Sequence, residues 1–214
     1  MKAIFEYLST KVAKPIIKQD IIYATDKTIK QIVKSELDRL GHDADLNHID
    51  VSEVTNFSEL FCCDSASRIN ANLNSKYKDI NPDISEWDVS NALYINSMFM
   101  DCNKFNCDIS RWDISKCENM ARMFKACYKF DCNISKWNVS NVKTMSSMFE
   151  YCEKFNQDIS RWDVSNVKNM EYMFNGCTNF NKDISNWNIN KVKYTTHMFN
   201  NCPIKEEFKP HFTN

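Results

Sequence analysis

Apolar and polar positions along the chain repeat with a fixed period of 25 residues. Trp falls at 87, 112, 137, 162 and 187, the pair Met-Phe begins at 98, 123, 148, 173 and 198, and Cys follows at 102, 127, 152, 177 and 202. A period in this range marks a repeat architecture, because one unit cannot bury its apolar face without a neighbour. Two shorter periods sit inside the unit from Asp158 to Lys182. Trp162 and Val164 alternate with Arg161, Asp163 and Ser165, the spacing of a short strand. Val167, Met170, Met173, Phe174 and Cys177 follow at i, i+3, i+6, i+7 and i+10, the spacing of a short helix capped by Ser165 or Asn166. Phe180 turns the chain back inward. Strand, helix and return loop together predict one coil of an α/β solenoid, a right-handed parallel coil with short strands on one side and short helices on the other.

The repeat array is longer than its Trp column. Asp45 to Phe61 aligns with Asp83 to Phe99 at an offset of 38 residues, Leu46 matching Ile84 and Ile49 matching Trp87. This predicts six units, a first at 45–82 and then 83–107, 108–132, 133–157, 158–182 and 183–207. The first carries a polar, Asn- and Ser-rich insertion at 64–80 that reads as a loop, the kind of place where repeat proteins often bind partners. Residues 1–44 read as a cap covering the first unit. Ile16 to Thr25 has the β-branched content of a short strand. Residues 26–40 read as a helix, with Thr25 or Asp26 as N-cap, Ile29, Ile32, Val33, Leu37 and Leu40 on one face, and Gly41 at the C-terminal left-handed position. The tail leaves the pattern at Pro203 and is expected to fold over the open end with Ile204, Phe208 and Phe212.

Composition narrows the function classes. The chain has 214 residues with a net charge of −1, both signs mixed throughout, which argues against a nucleic-acid or anionic-membrane surface. Gly and Pro number only 2 and 4, so compact order is expected. No stretch reaches the roughly 20 apolar residues of a membrane span, and Glu6 interrupts any signal-like apolar core at the start. The expected location is therefore cytoplasmic, or a cell surface or virion reached by another route. Ten cysteines without a C-x-x-C pair read as small hydrophobes filling a buried column.

No catalytic motif emerges. Two glycines cannot build a phosphate loop, and neither H-E-x-x-H nor G-x-S-x-G occurs. His42, Asp43 and Asp45 share a loop where polar residues are expected anyway, and the Asp column offers too few oxygens per strand for Ca²⁺. The expectation is no enzyme, no cofactor and no metal. What remains is a surface. Outward strand positions form a column of His48, Glu86, Arg111, Lys136, Arg161 and Asn186 beside one of Asp50, Asp88, Asp113, Asn138, Asp163 and Asn188. Either the two columns neutralise each other or they present a flat polar recognition face.

The pattern D-I-S-x-W-D-V-S-N-V-x-x-M-x-x-M-F-x-x-C-x-x-F-N, running over residues 45–202, resembles the BspA-like leucine-rich-repeat proteins, in the branch known for mycoplasma-type lipoprotein repeats. Here I-x-x-W-x-V stands where the L-x-x-L-x-L strand would be. The resemblance implies a leucine-rich-repeat-like solenoid and protein–protein recognition. It implies surface-exposed adhesion-type roles in bacteria, and similar arrays in phages and large viruses. The expectation is a non-catalytic protein-binding module, monomeric, recognising a protein through Glu86, Asp88, Arg111, Asp113, Lys136, Asn138, Arg161, Asp163, Asn186 and Asn188 together with His48. The alternatives are a structural component of a virion or cell surface, and a phage-type inhibitor of a host enzyme.

Overall fold

The computed structural model describes residues 20–63, 73 and 75–211. The N-terminal half of the expected cap strand, most of the 64–80 insertion and Phe212 lie outside them. Strand β1 (Ile22–Tyr23) pairs in parallel with β2 (Ile49–Asp50), and helix α1 (Ile29–Leu40) lies between them in sequence. Ile29, Val33 and Leu37 bury one face of α1, while Leu40 stays 38% exposed. Gly41 takes φ 97° and its N–H donates to the Leu37 carbonyl, as the sequence predicts. The N-cap differs: Thr28 holds that position. Asp26 is committed elsewhere, accepting from the N–H groups of Thr55 and Asn56 at 2.8 and 3.0 Å and so tying the start of α1 to the first unit.

Over 83–205 the predicted strand and helix of the 25-residue unit are both absent, and each unit is a run of tight turns; the first unit keeps a two-residue strand, β2. In the unit at 158–182, i→i+3 backbone bonds close at Ile159–Trp162, Val164–Val167, Met170–Met173, Tyr172–Asn175, Phe174–Cys177 and Cys177–Phe180. Each such turn brings both its end residues inward, which reproduces the i, i+3 spacing of a helix without its i→i+4 bonds. Side chains start the first two turns. The Asp158 carboxylate accepts from the Ser160 N–H and Asp163 from the Ser165 N–H, both at 3.0 Å, and Asn169 does the same for Glu171 at 2.9 Å.

From Met170 to Cys177, within the stretch read as a helix, every backbone N–H is accounted for. Those of Met170, Tyr172, Phe174 and Gly176 donate to carbonyls of Tyr194, Thr196, Met198 and Asn200 in the next unit, at 2.8–2.9 Å. Those of Met173, Asn175 and Cys177 close turns within the unit, and Glu171 donates to the Asn169 side chain. The same alternation recurs along the chain, with parallel bridges joining Asn56, Tyr94, Asn119, Thr144, Asn169 and Tyr194 in series. Units therefore exchange bonds with their neighbours where a helix would spend them internally.

That geometry needs left-handed residues at fixed places. Ser97, Arg122, Ser147, Tyr172 and His197 occupy one such column at φ 53–57°, and Asp101, Ala126, Tyr151, Gly176 and Asn201 a second at φ 53–75°. Left-handed φ costs an ordinary residue roughly 1–2 kcal/mol, so the bonds between units must outweigh it. At Gly176 a side chain is excluded twice over, because an added Cβ would lie 2.5 Å from Cδ1 of Tyr151.

The interior is a set of like residues piled unit on unit. Phe99, Phe124, Phe149, Phe174 and Phe199 stack with centroids 5.7–5.9 Å apart, and Phe105, Phe130, Phe155 and Phe180 pack at 3.8–4.3 Å against the first four. The five Trp rings are 4–5% exposed. Each indole N–H donates to a carbonyl of the preceding unit, Trp137 to Ile109 at 3.2 Å. Cys127, Cys152 and Cys177 donate S–H to Phe99, Phe124 and Phe149 carbonyls in the same sense. At the far end Ile204 is buried and the Phe208 carbonyl accepts from Ile184 N–H.

Trp137→Ala is expected to cost about 3–5 kcal/mol, and Trp137→Phe about 1–2 kcal/mol through the lost N–H bond, measured by urea unfolding. Gly176→Ala is expected to destabilise, whereas Arg122→Gly, exposed and left-handed, is expected to stabilise by about 0.5–1 kcal/mol. A thermal melt in which Arg122→Gly destabilises as Gly176→Ala does would remove the strain argument.

Candidate functional site

The outward columns sit on turns. Glu86, Arg111, Lys136, Arg161 and Asn186 each occupy the corner just before a buried Trp, and all five are exposed. Rigid flanks hold them: the Trp that follows is packed into the core, and the Ser that precedes is fixed by an Asp or Asn side chain in the manner of Ser110 on Asp108 at 3.0 Å. The second column, Asp88, Asp113, Asn138, Asp163 and Asn188, is exposed as well, but one oxygen of each is already used. Each accepts from the backbone N–H two residues on, at 3.0–3.2 Å. These residues shape the surface as much as they decorate it.

His48 does not belong to this face. Its side chain is 8% exposed and its Nε2 lies 3.0 Å from the Glu36 carboxylate on α1. Arg39 reaches the same carboxylate, and these hydrogen bonds, Arg39's first and His48's after it, hold the Glu36 carboxyl below its usual range. The first unit lies against α1, so the column position that is outward in later units is covered there. Sequence alignment alone assigns His48 to the column; the packing of the cap overrides it. Nδ1 of His48 is buried without a hydrogen-bond partner among the described residues.

Mutual neutralisation of the columns is slight. Arg111 and Glu86 approach to 3.8 Å with both side chains largely exposed, a pair worth well under 1 kcal/mol. Lys136 and Arg161 make no ion pair among the described residues. Arg111 and Lys136 flank a groove of about 730 Å³, with Asn106, Asp108, Ser110, Cys132 and Asn133 completing its walls. Cys132 Sγ sits 3.8 Å from the Asp108 carboxylate and accepts from Ile109 N–H at 3.4 Å. Burial pushes its thiol up, and pushes the equivalent Cys107 up to about 11. At neutral pH both remain thiols, poor nucleophiles and poor metal ligands. Among the described residues no group of three or more His, Cys, Asp or Glu is placed to hold a metal ion.

A second groove, of about 340 Å³, is lined by Asn141, Lys143, Asn166, Lys168 and Lys191. Sequence reasoning passed over it, although Lys recurs at 143, 168 and 193 with the period of the repeat. Of the insertion at 64–80, Tyr77 is buried and its hydroxyl, with Lys76, binds Asp38 on α1. No helix among the described residues is long and apolar enough to cross a membrane.

Family comparison gives one match: a model described as "Mycoplasma protein of unknown function, DUF285" covers residues 41–145 and 129–210. No curated protein and no solved structure matches.

The turn-capping carboxylates set an acid dependence. Serine hydroxyls first, then serine N–H groups, hold Asp108, Asp158 and Asp163 below the usual carboxylate range; at Asp50, Asp83 and Asp113 the N–H comes first. A folded-state pKa below the unfolded one stabilises at pH values above about 4, and that stability is lost as pH falls through the folded values. Asn133 and Asn138 cap the same turns with no charge to titrate. The variant carrying D108N, D158N and D163N is therefore expected to lose less melting temperature than the parent between pH 5 and pH 2. Superimposable acid limbs would show that these carboxylates do not couple to folding.

Proposed function

Because the chain belongs to the DUF285 family, a mycoplasma-type repeat family of unknown function, we propose that it is a non-catalytic protein-binding module. Its recognition surface is the exposed corner row Glu86, Arg111, Lys136 and Arg161 together with the carboxylates and amides beside it. The observation that supports this reading most directly is the exposure of Lys136 and Arg161 on fixed backbone corners, with neither in an ion pair among the described residues. Fixed backbone corners leave no loop to order on binding, and separated charges of both signs select a complementary partner and speed encounter. A partner with acidic groups spaced along a strand or helix fits Arg111, Lys136 and Arg161, and a donor from it meets Glu86.

The architecture we propose with this function is a leucine-rich-repeat-like, right-handed parallel solenoid with one coil per 25-residue unit, built from turns where short helices were expected. The serial parallel bridges at 94, 119, 144, 169 and 194 support it. So does the direction of the indole bonds, each reaching one unit back. Repetition gives the face its size: several equivalent corners in a row make a surface broad enough for a protein and too open to enclose a small substrate.

The combined variant R111E, K136E and R161E is expected to melt within about 2 °C of the parent, since exposed substitutions away from packed features change stability by roughly 0.5 kcal/mol or less. In cross-linked pull-downs from lysate of the native host, the partner recovered by the parent is expected to fall at least tenfold. Full recovery by the charge-reversed protein would discard this surface.

A further inference from the structure

None of the ten cysteines is joined in a disulfide, and nine are buried. We propose that Cys63 and Cys102 are a disulfide-forming pair, oxidised by a low-molecular-weight disulfide such as glutathione disulfide as the chain folds. Their sulfurs lie 3.8 Å apart. Elsewhere in the column each sulfur has its own carbonyl: Cys127 reaches Phe99 at 3.0 Å, Cys152 reaches Phe124 at 2.9 Å and Cys177 reaches Phe149 at 2.8 Å. Cys63 and Cys102 instead converge on one acceptor, the Phe61 carbonyl, each at 3.1 Å. The carbonyl accepts both, and S–H is a weak donor whose loss costs little.

The backbone already holds the two residues side by side. Cys63 N–H donates to the Met100 carbonyl at 3.0 Å, two residues from Cys102. A disulfide needs sulfurs at about 2.05 Å, so bonding closes a gap of about 1.8 Å from the 3.8 Å seen here. The first unit departs from the 25-residue step here, so Cys63 lies 39 residues from Cys102 and the two sulfurs meet. Cys107 and Cys132 face the carboxylates of Asp83 and Asp108 at 3.9 and 3.8 Å, where negative charge opposes the thiolate.

The chemistry balances as thiol–disulfide exchange. The thiolate of one cysteine attacks a sulfur of glutathione disulfide and expels glutathione thiolate, giving a mixed disulfide. The second cysteine's thiolate then attacks the protein sulfur and expels the second glutathione. Two protein thiols lose two protons and two electrons, and one glutathione disulfide becomes two glutathione molecules. Full burial pushes the Cys102 thiol well above its usual range, so the exchange belongs to the stage before the core closes. The bond joins residues 39 apart and ties down both ends of the segment that holds the 64–80 insertion. A loop of that length constrains the unfolded chain strongly.

The protein is unfolded and refolded in a reduced and oxidised glutathione mixture, its free thiols are blocked, and peptides are mapped by mass spectrometry. Eight blocked cysteines of the ten are expected, with a cross-linked peptide containing Cys63 and Cys102. The melting temperature is expected to rise by about 10 °C and to return with a thiol reductant. Cys63→Ala leaves Cys102 its bond to Phe61, and is expected to fold, to give no cross-linked peptide and to show no rise. Ten blocked cysteines, or a cross-link joining any other pair, would overturn the assignment.

Discussion

Everything in the array depends on where backbone N–H groups send their bonds. Within each unit they alternate, one donating to the neighbouring unit and the next closing a turn in its own. An α-helix would satisfy the same groups internally and leave units to associate through side chains alone. Here the association is backbone-made, and side chains fill the space it leaves. The alternation fixes the left-handed columns, and only two glycines in the chain are on hand to fill them. Each unit carries residues in an unfavourable conformation that persists because its neighbours require it. A single unit excised from the array has nothing to hold it in that shape.

Much of the packing was legible in the sequence. The Trp, Met, Phe and Cys columns recur every 25 residues and are buried, and the cap helix ends at Gly41 as its position suggests. The local structure was misread at Val167 to Cys177, for a definite reason. A helix and a chain of i→i+3 turns both place apolar residues at i and i+3, and periodicity alone does not separate them. Another signal did. Asp-Ile-Ser and Asp-Val-Ser recur with serine two residues after the acid, the arrangement that lets a carboxylate hold a backbone N–H and start a turn. The run of β-branched and aromatic residues drew attention toward a strand instead.

The candidate surface was legible in outline and wrong in one member. Exposure of Glu86, Arg111, Lys136 and Arg161 follows from the alternation around each Trp, which packing does not disturb. His48 occupies the same register yet lies beneath α1 against Glu36. No repeat alignment contains that information, because it comes from a segment outside the repeat. The aspartates beside the row serve two masters, as turn caps and as surface charge, so the face cannot be remodelled at those positions without touching stability.

The bonds between units also share a direction. From Met170 to Gly176 all four donate forward, toward the C-terminal unit, and the same rows in the units at 108–132 and 133–157 do so too, against one backbone-to-backbone bond running backward in each of these three units, such as Lys168 to Lys143. In ordinary sheets such group moments largely cancel. Here they add along the stack, as peptide moments do along a helix axis. The array consequently has electrical polarity, with partial positive charge gathered at the end formed by residues 195–201 and partial negative charge at the cap.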